Sequence, residues 1–285
     1  MSALKKLLLL ISLIFMGVCA YFYYDARYLA VKRINIRYET IESSKIPPSF
    51  NNTEILFFSD IYYGEFMDIE RLSMIIDQII TIKPDIVIFL GDLFADPINN
   101  PPSADSQNKV IELLSSIKAP LGKFAIYGDL DLSSQTIKQS FDQIMYDANF
   151  EILNDQIIKL TNNDSQAINL IAISNLVNSE PDLNAIFNSY DANGFNLLVS
   201  HTPDLIDKIT KFNVDIMIAG HSLGGQINLP FYGQMIKMPY AINYYQGKTK
   251  VAFTLLDITN GLGTTGYDAR LFSDPELVIY HFQAK

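Results

Sequence analysis

Cysteine is all but missing from this sequence: Cys19 stands alone in 285 residues, which excludes a disulfide framework and a thiolate metal site. Histidine is nearly as scarce, with three, His201, His221 and His281. Basic charge is short too. Against 31 Asp and Glu there are 21 Lys and Arg, a formal net charge of −10, which argues against nucleic acid held by general electrostatics. A small phosphorylated molecule gripped through a metal remains compatible with that balance. Internal repeats and low-complexity linkers are absent, apart from the polar loop from Pro97 to Asn108. What is present is an apolar share of 49%, enough to bury one α/β domain of roughly 250 residues.

The N-terminus carries Lys5 and Lys6, then an uncharged run from Leu7 to Tyr24 that ends at Asp25. At a rise of about 1.5 Å per residue, such a run just spans the hydrocarbon core of a bilayer, with Tyr21, Tyr23 and Tyr24 suited to the interface. The reading is a single-pass membrane anchor over 1–26. A cleavable signal peptide is the rival, with Val18-Cys19-Ala20 as its small-residue site. Lys5 and Lys6 favour an inside N-terminus and an extracytoplasmic domain; Arg27, Lys32, Arg33 and Arg37 pull the other way. Residues 27–49 are expected to be a linker and a first strand, and 50–285 the folded domain.

Strands are expected at Val31–Tyr38 and Glu54–Ser59, the second buried and stopping at Asp60. From Asp68 to Lys83 the apolar residues Ile69, Leu72, Ile75, Ile76, Ile79 and Ile80 recur at helical spacing on one face, and Pro84 closes the helix. The strand Ile86–Leu90 then runs into Gly91-Asp92. The pattern repeats with a helix over 105–117 and a strand over 123–127 that runs into Gly128-Asp129-Leu130-Asp131. After a helix near 135–149 come strands near 151–153, 156–160 and 168–173. Phe195–Ser200 ends at His201, and Val214–Ala219 ends at Gly220-His221. In an open α/β sheet, ligands bind at the C-terminal ends of the strands. One strand-end Asp is commonly a cap or turn residue. Asp60, Asp92, Asp129, His201 and His221 all share that placement, and together they read as metal ligands.

The stretch Ile216-Met-Ile-Ala-Gly-His221-Ser222-Leu223-Gly224-Gly225-Gln226 supports two incompatible readings. Gly220-His-Ser222-Leu-Gly224 satisfies the G-x-S-x-G elbow of serine hydrolases, with Ser222 as nucleophile and Asp257 or Asp274 and His281 as partners. The elbow requires a helix directly after the serine. Pro230 and Gly233 disfavour one, and His281 sits in strand-like Leu277–Phe282.

The other reading is a resemblance. Asp60-Ile-Tyr62-Tyr-Gly64, Gly91-Asp92, Gly128-Asp129-Leu130-Asp131, His201 and Gly220-His221-Ser-Leu223-Gly224-Gly225-Gln226 follow, in order and spacing, the pattern D-x-H-x-G, G-D, G-N-H-[DE], H, G-H-x-H-G-G-Q of the calcineurin-like metallophosphoesterases. Over about 50–285 the chain resembles the membrane-anchored bacterial branch of that superfamily. The resemblance implies a two-sheet α/β metallophosphoesterase sandwich flanked by helices, preceded here by one N-terminal transmembrane helix. It also implies two divalent metals, acting together on a phosphoryl group.

Carried over residue by residue, the first metal position takes Asp60, Asp92 and two histidines, but those two are Tyr62 and Leu223 here. The second takes Asp92, His201, His221 and an asparagine that is Asp129 here. The histidine that assists the leaving group is Leu130, which carries no proton. The resemblance therefore implies one divalent metal (Mn, Zn or Fe) with a second weak or absent. Tyr62 as a phenolate ligand to ferric iron is a further option, beside the commoner role of a core or substrate-stacking tyrosine. The expected function is a catalytically impaired, membrane-anchored phosphoesterase-fold protein binding a phosphoester or phospholipid-type ligand. The alternatives are an active single-metal phosphodiesterase or pyrophosphatase, a serine hydrolase, and a partner-binding ectodomain for which Tyr244-Tyr245 gives aromatic surface.

Overall fold

The computed structural model describes residues 2–162 and 165–285. Helix α1 (Ala3–Tyr24) has no buried residue. It continues into a π turn (Asp25–Leu29) and a 3-10 turn (Ala30–Lys32), where Ala26, Ala30 and Val31 are buried. That burial moves the first strand. Val31, an expected strand residue, packs from the turn instead, and β1 spans Asn35–Ser43.

Along the chain follow β2 (Glu54–Phe58), α2 (Ile69–Ile82), β3 (Ile86–Phe89), α3 (Ala104–Ser116), β4 (Gly122–Ala125), α4 (Gln135–Asp147) and β5 (Glu151–Ile152). Then come β6 (Gln156–Thr161), β7 (Ala167–Ile173), β8 (Phe195–Ser200) and β9 (Ile216–Ala219). A small hairpin, β10 (Asn228–Leu229) and β11 (Gly233–Gln234), precedes β12 (Gly247–Val251), β13 (Thr254–Ile258) and β14 (Glu276–Ala284). The helices start where a side chain can take an orphan backbone N–H: Asp68 caps α2, Ser103 caps α3 and Ser134 caps α4.

One six-stranded sheet has the order β1-β14-β2-β3-β4-β5, and the other β12-β13-β9-β8-β7-β6. β1 pairs in parallel with β14 from Asn35 opposite Glu276 to Ser43 opposite Ala284, so the segment before residue 50 is hydrogen-bonded into the domain. The two sheets face each other across a core that includes Phe57, Ile88 and Ile126 from the first and Leu170, Val199 and Ile218 from the second. On the outer face of the first sheet, Leu56, Phe58 and Phe89 pack against Leu72, Ile75 and Ile79 of α2 and Phe141 of α4. Because both faces are covered, β2 and β3 read as unbroken apolar runs without alternation. The result is a two-sheet sandwich flanked by helices, with β2, β3, β4, β8 and β9 delivering their C-terminal ends to one rim.

Candidate metal centre

The loops at that rim adopt backbone that few residues favour. Asp60, Tyr62, Asp92, His221 and Leu223 all have positive φ, between 49° and 68°. For a residue other than glycine this costs on the order of 1 kcal/mol each, and it is the kind of strain that clusters at functional sites. Glycine is obligatory between two of the loops. A Cβ on Gly91 would lie 2.2 Å from the Gly128 nitrogen, and one on Gly128 would lie 2.0 Å from Asp92 Oδ1. The turns after β3 and β4 can therefore pack back to back, which brings Asp92 beside Asp129.

Asp92, Asp129, His201 and His221 each aim one ligand atom into a common space, all four within 4.8 Å of one another. His201 Nε2 is 3.2 Å from Asp129 Oδ1 and 3.4 Å from Asp92 Oδ2, and His221 Nδ1 is 3.1 Å from Asp129 Oδ1. The second nitrogen of each ring is held by a backbone carbonyl: His201 Nδ1 by Leu90 at 2.7 Å, His221 Nε2 by Pro239 at 2.8 Å. A carbonyl can only accept, so each of those nitrogens carries its hydrogen, and in the neutral ring the lone pair points into the cluster. This is how histidine ligands are oriented at metal sites.

The electrostatics call for a cation. Asp92 is fully buried and its Oδ2 has no hydrogen-bond partner. Burial raises the Asp92 pKa, with His201 opposing, and also acts to raise that of Asp129, but hydrogen bonds from His201 and His221 outweigh it and hold Asp129 below the usual carboxylate range. Burial acts to lower His201; the charges and hydrogen bonds of Asp92 and Asp129 more than reverse it and raise the imidazole above its ordinary value. Without a metal, a proton on His201 supplies the positive charge that the cluster requires. Two imidazoles and two carboxylates, with a buried carboxylate oxygen left over, fit a divalent cation.

Asp131 is the residue whose part the pattern did not spell out. Its carboxylate accepts from the backbone N–H of Asp92 (2.8 Å), Leu93 (3.1 Å) and Gly128 (2.9 Å) and so clamps both glycine turns. Burial and the charge of Asp92 push its pKa up to about 7, against the pull of those three donors. The acidic position closing G-N-H-[DE] was the available signal. Arg270 was legible even less. It is fully buried and donates to the carbonyls of Leu223 (2.6 Å), Asn260 (2.8 Å), Ser273 (3.1 Å) and Gly263.

The neighbouring position is differently equipped. Asp60 Oδ2 accepts from the His221 backbone N–H at 3.0 Å and from Ser59 Oγ, while its buried Oδ1 has no partner. Tyr62 and Leu223 are buried. The Tyr62 phenol is held neutral, its pKa raised by burial and then by the charges of Asp92, Asp60 and Asp129. Leu130 donates its backbone N–H to Asp92 Oδ1 at 2.9 Å but has no acidic side chain.

Ser222 is followed by a single 3-10 turn, Leu223–Gly225, and its Oγ accepts from the Gly224 N–H at 3.2 Å. The other members of the conjectured triad lie in separate contacts. Asp257 accepts from Arg37 and Tyr280, Asp274 from Arg33, and His281 faces Glu54 at 3.9 Å. Serine, acid and histidine are not brought together.

The model of the calcineurin-like phosphoesterases matches residues 53–225, more than half the chain. YkuE, a metallophosphoesterase of Bacillus subtilis, is 32% identical, with 90% of this chain and 87% of YkuE covered. LpxG of Chlamydia muridarum, a UDP-2,3-diacylglucosamine pyrophosphatase, is 23% identical over 82% of this chain and 86% of its own. A transmembrane protein with a metallophosphoesterase domain from Danio rerio is 22% identical over 83% of this chain and 54% of its own. The chain belongs to the calcineurin-like phosphoesterase family, whose members are metallophosphoesterase hydrolases that use divalent metals.

Proposed function

We propose that this is a single-pass membrane protein that holds one divalent metal at Asp92, Asp129, His201 and His221, and binds a phosphoester or phospholipid-type ligand, with its hydrolytic chemistry impaired. The observation that carries this reading is the asymmetry of the rim. Four donors converge on one side. On the other, Asp60 Oδ1 is buried without a partner, and buried Tyr62 and Leu223 stand where the family pattern has imidazoles.

A bound divalent cation supplies Lewis-acid stabilisation of a phosphoryl oxygen. The rest falls to the chain's own residues. Asp129, in place of the family's asparagine, adds a negative charge that strengthens the hold on a lone cation. The Leu130 N–H and the Asp131 clamp fix the Asp92 carboxylate in one orientation. Leu130 has no proton for a departing alkoxide, and loss of a general acid alone is worth about 10²–10⁴ in rate. Zn, Mn and Fe all suit the donor set. A lipid-linked pyrophosphate is the substrate class suggested by the name of LpxG. The span is α1, the one helix among the described residues long and apolar enough to cross a membrane. Lys5 and Lys6 support a domain outside the cytoplasm, against the pull of Arg27, Lys32, Arg33 and Arg37.

The test is a phosphodiesterase assay on the full chain with Mn, Zn and Fe, run beside a Tyr62→His/Leu130→His/Leu223→His variant. Turnover near background in the native protein and a gain in the variant are expected. Robust native turnover that disappears in Asp92→Asn, with one equivalent of metal bound, would instead establish an active single-metal phosphodiesterase.

A further inference from the structure

An apolar cavity lies away from the metal cluster, between the end of α1 and the domain. It has a volume of about 850 Å³, within the range of ligand sites, and Phe22 and Tyr23 of α1 face Leu229, Tyr267, Leu271 and Phe272 across it. Its charged lining residues are Arg27 and Asp268, and they neutralise each other: Arg27 Nη1 is 2.9 Å from Asp268 Oδ2. The Phe22 and Phe272 rings are 5.6 Å apart, and the Arg270 N–H donates to Ala26 O at 2.9 Å, so helix and loop form one continuous wall.

We propose that this groove holds an acyl chain of a bilayer lipid. The proposal rests on the membrane placement of α1 given above. With Ala3–Tyr24 in the bilayer, the wall formed by Cys19, Phe22 and Tyr23 lies in the last two turns of the span, so the groove opens at the boundary of acyl chains and headgroups. A water-soluble partner has no access there. The adjoining hairpin β10–β11 exposes Phe231 and Tyr232, and Tyr267 of the groove lining is exposed too, as aromatic side chains are at a membrane interface.

The groove is also joined to the metal loop. Gln226, next to Gly225, donates through Nε2 to the carbonyls of Thr265 (3.0 Å) and Tyr267 (2.8 Å), and Ile227 forms a bridge to Leu271. Ile227 is six residues from His221, no more than about 20 Å of extended chain. The groove wall is therefore tied directly to the loop that carries His221.

The experiment uses the full chain in phosphatidylethanolamine and phosphatidylglycerol vesicles containing a phosphatidylcholine with a diazirine in its acyl chain. Adducts are mapped by mass spectrometry after illumination. Adducts on α1 and on residues 227–230 and 266–272 are expected, the latter lost in Ala269→Trp, which fills the groove, while those on α1 persist. Adducts confined to α1 would overturn the groove and leave the membrane placement standing. Groove adducts undiminished in Ala269→Trp would also overturn it, as surface contact. No adducts anywhere would overturn both the groove and the placement.

Discussion

The imidazoles of His201 and His221 meet at 3.1 Å, Nε2 to Nδ1, and each ring turns its other nitrogen to a backbone carbonyl. Two ring nitrogens held this close, beside two carboxylates, need a positive charge between them. In the metal-free protein the proton on His201 supplies it. Metal binding must therefore release that proton. Because the His201 pKa lies above its ordinary value, affinity should rise with pH through the neutral range, by up to about tenfold per unit for one proton. Titration calorimetry of Mn or Zn in buffers of different ionisation enthalpy measures the release directly.

Asp131 predicts a second pH dependence, in protein stripped by a chelator. Its pKa is raised from 3.8 to about 7 on folding, so the folded state favours the protonated form. Its contribution to stability is complete below about pH 4 and is lost as pH rises towards 7. Denaturant unfolding across that window should show the slope. Asp131→Asn should flatten it and lower stability throughout, since the clamp on three backbone donors is weakened.

Arg270→Met should destabilise the fold by about 3 kcal/mol or more, because the buried carbonyls of Asn260, Gly263 and Ser273 lose the guanidinium at once and that of Leu223 loses one of its donors. Burial pushes the Arg270 pKa down to about 10, with Asp60 opposing, so the guanidinium stays charged at neutral pH. Lysine carries the charge without the planar fork. Thermal unfolding should find Arg270→Lys recovering only part of the loss.

Ser222 should resist fluorophosphonate probes under conditions that label a serine hydrolase completely. Its Oγ is engaged by the Gly224 N–H and no imidazole hydrogen-bonds to it among the described residues. Intact-mass spectrometry after exposure decides the matter, and stoichiometric addition at Ser222 would reinstate the elbow.

The parts of the fold that were legible in the sequence share a local cause. β8 spans the expected Phe195–Ser200, and α2 starts after its capping Asp68 and stops before Pro84, because apolar periodicity and end signals lie within the segment itself. The strand-end positions of Asp92, Asp129, His201 and His221 were readable for the same reason. What was not legible depends on distant partners. Val31 is drawn out of β1 because it has a buried niche beside Ala26 and Ala30, and β1 finds its partner in β14 at the opposite end of the chain. The carbonyls of Leu90 and Pro239 that set the two tautomers carry no mark in the sequence. Neither does Arg270, a single basic residue in a glycine-rich stretch, whose role appears only when that stretch folds around it and meets the loop of Leu223.

The central claim, one competent metal position beside a dismantled one, is tested most directly by elemental analysis of the full chain purified without chelator. Native protein should carry one equivalent of Mn, Zn or Fe, lost in Asp92→Asn, and Tyr62→His/Leu223→His should take up a second. Two equivalents in the native protein, or none, would contradict it.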